Sequence, residues 1–454
     1  MYMSEERNTE TNDILTGSML KNILFFVWPI MLANILQISF HFADTIVIGN
    51  YASQQGLAAV GTTGPITVFF MWGLNGLSMG ANVLVSRMIG AKKHDQLKQA
   101  VFTSVLIGFV FGFCISLIGV VFAEVMLRLL GTPSDIMADA TLYLRIYFLC
   151  GVAFGVFDFC SSILRANGDT SHPTLYLAIG GAMNVLLNLL FVVVFRMNVA
   201  GVALATLISQ YSSAFLSFRR LLKEESMIHL DLNMKNYDPE LMKQVLRYGI
   251  PSALQNQMFS FSNMIVQSSI NSFGSTFVAA NTASNAIEEY VYVFVDAFPL
   301  ASLTFTSQLY GAGEYKRIRK MLVMNFVMCG VGAFLIGLII LMNGTSLMSM
   351  VADDPEVIRM GLIRLRYVTF FLFLNGLLDV IVNGIRGIGL ANLPTIITLF
   401  GVCGFRALYI YTYFRLNHTP EVLYSCFPLS WALTLIVQSV IWFISYRRLL
   451  NEGQ

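Results

Sequence analysis

The sequence predicts an all-α integral membrane protein of twelve transmembrane helices in two six-helix lobes related by a parallel pseudo-two-fold repeat. Three observations carry this. Hydrophobic residues make up 56% of the chain and charged residues only 12%, a balance that no soluble domain of this length shows. Twelve apolar segments recur along it, near 22–49, 56–86, 98–124, 136–164, 173–196, 198–219, 244–272, 277–308, 320–343, 357–385, 393–415 and 421–446, most of them long enough to cross a hydrocarbon layer. The third observation is a repeat in one register: Pro29 falls on Pro251, Ala59 on Ala280, Gly90-Ala91 on Gly311-Ala312, Asp158 on Asp379, Arg165 on Arg386 and Pro173-Thr174 on Pro394-Thr395, always 221 or 222 residues apart.

In chain order, residues 1–20 are polar and lack the basic, short-apolar, small-residue layout of a secretory signal, so they read as a soluble tail. The N-lobe spans 21–222, a charged linker 223–243, the C-lobe 244–446, and a short tail 447–454. Loops after even-numbered segments, with the tails, hold most of the basic residues, among them Arg87, Lys92, Lys93, Arg219, Arg220, Lys235, Lys243, Lys316, Arg317 and Arg447. The opposite loops hold only Arg128, Arg196, Arg359 and Arg415. The positive-inside rule therefore expects a multi-pass protein of the cytoplasmic membrane with both termini cytoplasmic. Six spans per lobe make both lobes start on one side, hence a parallel repeat with its axis along the membrane normal and a cleft between the lobes.

The first span, Lys21 to Asn50, holds the acid that needs most explanation. Asn34, Gln37, His41 and Asp44 recur at i, i+3, i+7 and i+10 and share one face. A carboxylate held in a bilayer costs roughly 2.5–3.5 kcal/mol on insertion scales, so Asp44 is expected to face a polar cavity or partner. Burial favours its neutral form and neighbouring amides its ion, which suits a group that exchanges a proton. His41 reads as a hydrogen-bonding neighbour.

Several motifs resemble the multidrug and toxic compound extrusion family. They are Pro29, Gln37, Ala43-Asp44-Thr45 and Gly49, then Gly56-Leu57-Ala58-Ala59-Val60-Gly61, Ser86-Arg87-Met88-Ile89-Gly90-Ala91, Leu164-Arg165-Ala166-Asn167-Gly168-Asp169-Thr170 with Pro173, and Gly201-Val202-Ala203-Leu204-Ala205-Thr206. The resemblance implies a V-shaped, twelve-helix exporter that exchanges a cation-like drug or metabolite for inward H⁺ or Na⁺. It also places Asn184, Asn188 and Thr206 beside the first-helix acid. Where many relatives have Asn-x-x-x-Asp in the fifth helix, this chain has Asn184-x-x-x-Asn188, one protonatable group fewer. Sodium-coupled relatives carry a glutamate in the seventh helix, where this chain has Met258, while their tenth-helix aspartate resembles Asp379. Protons are favoured over sodium on that ground.

Other intramembrane charges have two readings. Arg406 stands ~18 Å past Pro394 at helical rise, near the bilayer middle. It reads either as half of a structural ion pair with Glu288 or Asp379, or as a cleft charge. Asp158 and Asp379, each seven residues before an arginine, read as lobe architecture. Gly73, Gly76, Gly80, Gly108 and Gly112 mark close helix packing, and the six cysteines read as free buried thiols.

The expected activity is export of a cationic or amphipathic small molecule against H⁺, with Na⁺ as the alternative driver, by a functional monomer in the lipid bilayer. No cofactor is expected. The net charge of +2 carries no nucleic-acid signal. A flippase for an amphiphilic or lipid-linked molecule is a second reading, for which a more cationic cleft is expected. A membrane enzyme is a third, opposed by the lack of a His-Glu-x-x-His or Walker motif.

Overall fold

The computed structural model describes residues 14, 17–51, 54–223 and 227–452. Most of the expected N-terminal tail lies outside the described residues, as do the side chains of His41, Asp44, Thr45, Ile46, Ile48, Asn50 and Gln54. The first lobe holds α1 (Met19–Tyr51), α2 (Gln54–Gly90), α3 (His94–Leu129), α4 (Met137–Phe148), α5 (Gly151–Ala166), α6 (Ser171–Asn188) and α7 (Asn198–Lys223). The second holds α8 (Pro239–Asn271), α9 (Ser275–Val295), α10 (Ala297–Gly311), α11 (Tyr315–Met342), the short α12 (Gly344–Ser349), α13 (Pro355–Arg364), α14 (Leu372–Gly387), α15 (Asn392–Thr398), α16 (Phe405–Tyr409) and α17 (Pro420–Glu452). Four pairs, α4–α5, α9–α10, α13–α14 and α15–α16, are single rods with a break. Twelve rods result, besides α12.

Among the described residues ten helices are long and apolar enough to span a membrane. The remaining two rods, α8 and α9–α10, are more polar because they carry Asn256 and Gln257, bonded to α2 across the seam, and the buried Asn281 and Glu288. The lipid faces read directly from exposure: Phe109, Phe113, Leu117, Val121 and Val125 line α3 at every fourth residue, and Val323, Val327, Val331, Leu335 and Ile339 do so on α11. α8 begins before its apolar run because Asp238 caps it, Oδ1 accepting from the Glu240 N–H at 2.8 Å, with Pro239 at the first helical position.

The repeat is visible in bonds as well as letters. The Thr174 hydroxyl donates to the Pro29 carbonyl at 2.9 Å, and the Thr395 hydroxyl to the Pro251 carbonyl at 3.3 Å, so the same tie fastens a proline-bearing helix in each lobe. Between the lobes, α2 packs along α8 and crosses α10. A methyl group on Gly76 would lie 2.6 Å from the Ala253 Cα, and one on Gly80 only 2.1 Å from the Val245 carbonyl, so this seam depends on small residues.

The ends of α2, α5, α10 and α14 lie at the same end of the molecule as the interlobe linker, here termed the linker end. Among the described residues, hydrogen bonds between lobes fall at that end or at mid-depth. At mid-depth, Asn256 donates to the Trp72 carbonyl at 3.2 Å, Gln257 to the Phe69 carbonyl at 2.5 Å, and Asn34 to the Val293 carbonyl at 3.4 Å. Toward the linker end, Thr304 bonds Asn82 at 3.1 Å, Gln308 the Ala166 carbonyl, and Arg87 the Gly387 carbonyl. The lobes thus form a V closed at the linker end.

Candidate functional site

In the N-lobe, the Asn188 amide donates to Asn184 Oδ1 at 3.2 Å, the Asn184 amide to Thr206 Oγ1 at 3.3 Å, and the Thr206 hydroxyl to the Val202 carbonyl at 3.1 Å. Asn184 and Asn188 are buried. These three polar residues are expected together and stand together, because Asn184 and Asn188 are one turn apart on α6 and α7 packs along it.

Asp44 is placed by its backbone. One turn before it, Phe40 fills the notch at Gly181, where a methyl group would overlap the ring. Three residues after it, Val47 packs in a buried cluster with Val192, Val202 and Ala203. Since α1 and α6 run parallel, residue 44 lies along α1 between these contacts, level with Asn184 and Asn188. Asn34 joins a different group, tying α1 to the other lobe through Val293, and Gln37 is exposed.

The C-lobe departs from expectation at its charges. Glu288 pairs with Arg364, Nη2 to Oε2 at 3.1 Å, and the Thr369 hydroxyl donates to the same carboxylate at 3.3 Å. Arg364 also donates to Asn281 at 2.8 Å, and the Tyr424 hydroxyl to that same Asn281 oxygen at 3.1 Å. The pair expected between Arg406 and Glu288 or Asp379 is therefore not formed. Arg406, 2% exposed, donates to Ser430 at 3.1 Å and Asn263 at 3.4 Å and lies over the Phe427 ring, 4.3 Å from its centroid, with Trp431 at 5.5 Å. Its charge is stabilised by ring faces and neutral oxygens instead of a carboxylate.

A local cause explains the inward turn of Arg406. Gly180 stands against Ser213 in the N-lobe, and Gly401 against Thr434 in the C-lobe, each 221 residues on. Asn184 follows Gly180 by four residues, whereas Arg406 follows Gly401 by five. The extra residue is absorbed by the π-helical stretch Leu399–Gly404, so Arg406 takes the place corresponding to Asn184. Asp379, half-buried, accepts from Asn375 at 3.1 Å; Arg386 turns instead to Gln255 at 2.8 Å and Thr395 at 3.4 Å. Glu289 and Asp296, two turns apart on the α9 rod, are exposed.

The sequence pattern of the MatE family matches residues 29–190 and 251–412, two stretches whose bounds are 222 residues apart. The chain belongs to the MatE family. Its members include multidrug efflux transporters, and the duplicated match is the two-lobe repeat seen in the fold. Among curated proteins the chain is 25% identical, over 92% of each chain, to the Probable multidrug resistance protein YoeA of Bacillus subtilis. It is 29% identical to the Probable multidrug resistance protein YpnP of the same organism, over 82% of this chain and 83% of that one. A solved structure described as the outward-facing conformation of a multidrug resistance MATE family transporter shares the fold, with a TM-score of 0.88 at 21% identity over 98% of this chain and 100% of the other.

Within this MatE fold, Arg364 is the charge that sequence reasoning missed. It stands nine residues past Pro355, ~13 Å along a helix, so the depth count that singled out Arg406 applies to it equally.

Proposed function

We propose that the chain is a secondary antiporter of the cytoplasmic membrane that exports cationic or amphipathic small molecules in exchange for H⁺, working as a monomer. The observation that carries this reading is the place of Asp44 along α1, level with the Asn184–Asn188–Thr206 chain of amides and hydroxyl. An acid there can exchange its proton for stabilisation by neighbouring dipoles. Proton and substrate oppose each other's binding, and by linkage each weakens the other, which couples their fluxes in opposite directions.

The carboxylates Glu289, Asp296 and Asp379 on the C-lobe side support a cationic substrate, since Glu288 is already neutralised by Arg364. The basic loops give the linker end a cytoplasmic orientation, so the V opens outward.

Reconstitution into proteoliposomes tests the proposal. An imposed pH gradient should drive counter-transport of a fluorescent organic cation in the wild type. Asp44→Asn should lower that rate at least about a hundredfold while leaving membrane insertion intact. Transport driven equally well by a sodium gradient at fixed pH, with a proton ionophore present, would instead assign the coupling to Na⁺.

A further inference from the structure

Among the bonds that close the linker end are those of two side chains, Arg87 and Gln308, that are copies of each other under the pseudo-two-fold axis. Arg87, near the end of α2, donates across the seam to the carbonyl of Gly387, the last residue of α14, from Nη2 at 3.0 Å and Nε at 3.3 Å. Gln308, near the end of α10, donates from its side-chain amide to the carbonyl of Ala166, the last residue of α5, at 2.5 Å. Both donors and both acceptors are 221 residues apart. The backbones cross with the same reciprocity: a methyl group on Gly90 would lie 1.9 Å from the Gln308 carbonyl, and one on Gly311 would lie 2.1 Å from the Arg87 carbonyl.

We propose that Arg87 and Gln308 are positioning residues for the transport cycle, a crossed latch in which each lobe caps a helix C-terminus of the other. The last carbonyls of a helix have no partner within it and carry the negative end of its dipole. Here both ends are satisfied from the opposite lobe, so opening the linker end must expose α5 and α14 together. Opening is thereby cooperative rather than a gradual separation.

The latch is chemically lopsided. Gln308 is neutral, whereas the Arg87 guanidinium also donates to the Tyr248 hydroxyl at 3.0 Å and lies against the Tyr310 and Tyr248 rings, at 4.5 and 5.1 Å from their centroids. Gly389, at φ +96°, leaves room for it: a methyl group there would lie 2.4 Å from Nη2. Charge-assisted bonds are about twice as strong as neutral ones, so the Arg87 half dominates the closed state.

This inference rests on alternating access as proposed above, and its test is kept apart from transport. Cys114, the exposed cysteine, is replaced by Ser, and spin labels are placed at Lys93 and Lys316, exposed residues flanking the latch in opposite lobes. Distances are then measured by electron spin resonance in the full chain in nanodiscs. Arg87→Met should raise the ratio of long to short distances at least about tenfold, the loss of a hydrogen bond to a charged group. Gln308→Met should give a smaller rise in the same direction, and Arg87→Lys a rise between that of Arg87→Met and none. Unchanged distributions in correctly folded Arg87→Met and Gln308→Met would overturn the latch, as would a Gln308→Met effect exceeding that of Arg87→Met. If Arg87→Met fails to fold, Gln308→Met and Arg87→Lys decide by the same readout. Failure of the antiport reading would appear as wild-type liposomes without gradient-driven counter-transport, and it leaves these distances unaffected.

Discussion

At the scale of single residues, the buried ion pair and the buried lone cation in the C-lobe call for different substitutions. Removing one partner of a buried pair leaves an uncompensated charge and costs about 3–5 kcal/mol. Arg364→Leu and Glu288→Leu should therefore each lower the thermal midpoint sharply, while the double substitution recovers much of the loss; thermal unfolding of the purified protein followed by tryptophan fluorescence checks this. Arg406 has no carboxylate to orphan. Arg406→Leu should thus cost less stability than Arg364→Leu, and Arg406→Lys should disturb the contact with Phe427, because an ammonium cannot stack as a guanidinium does. The reverse order of midpoints would show that Arg406 depends on a carboxylate after all.

At the scale of helices, the structure rests on ties that are the same in both lobes. The bonds from Thr174 to Pro29 and from Thr395 to Pro251 fasten α1 and α8 to the helices that pack on them. Thr174→Val should cost about 0.5–1.5 kcal/mol, the net worth of one hydrogen bond, Thr395→Val should cost more because its hydroxyl also accepts from Arg386, and the two costs should add because the sites lie in different lobes. Denaturant titrations of the single and double variants measure both claims. The seam between α2 and α8 is less forgiving. Gly80→Val places side-chain carbon against the Val245 carbonyl, so the helices must separate, and this variant should lose more folded yield than either threonine variant.

At the scale of the molecule, the lobes meet along two seams, α2 against α8 and α1 against α9 and α10, and at the linker end, which limits the motion open to them. Spin labels at the far end, on Leu57 of α2 and Ser275 of α9, should approach each other under the conditions that lengthen the distance between labels at Lys93 and Lys316. Simultaneous lengthening at both ends would indicate dissociation of the lobes and exclude rocking about the seams. Such rocking exchanges the far-end opening for a linker-end opening and leaves intact the four buried clusters that lie within one lobe, while the two that join α8 to the first lobe and α1 to the second must adjust at the seams.

The sequence by itself determined the membrane class, the twelve spans, the repeat and its register, and the shared face of Asn184 and Asn188; Thr206 joined them only through the family resemblance. Hydropathy is a sum over neighbours in the chain, and residues a few positions apart on one helix share a face whatever surrounds it. Tertiary structure decided which charges meet. Glu288 took Arg364 in place of Arg406, Asn34 bonded across to the other lobe, and Arg87 became the cap of a helix 300 residues away. Those outcomes depend on how each helix is rotated about its axis, and one extra residue in the π-helical turn before Arg406 shifts that rotation by about 100°. Hydropathy is nearly blind to such a turn, whereas a hydrogen bond between two helices is made or lost by it.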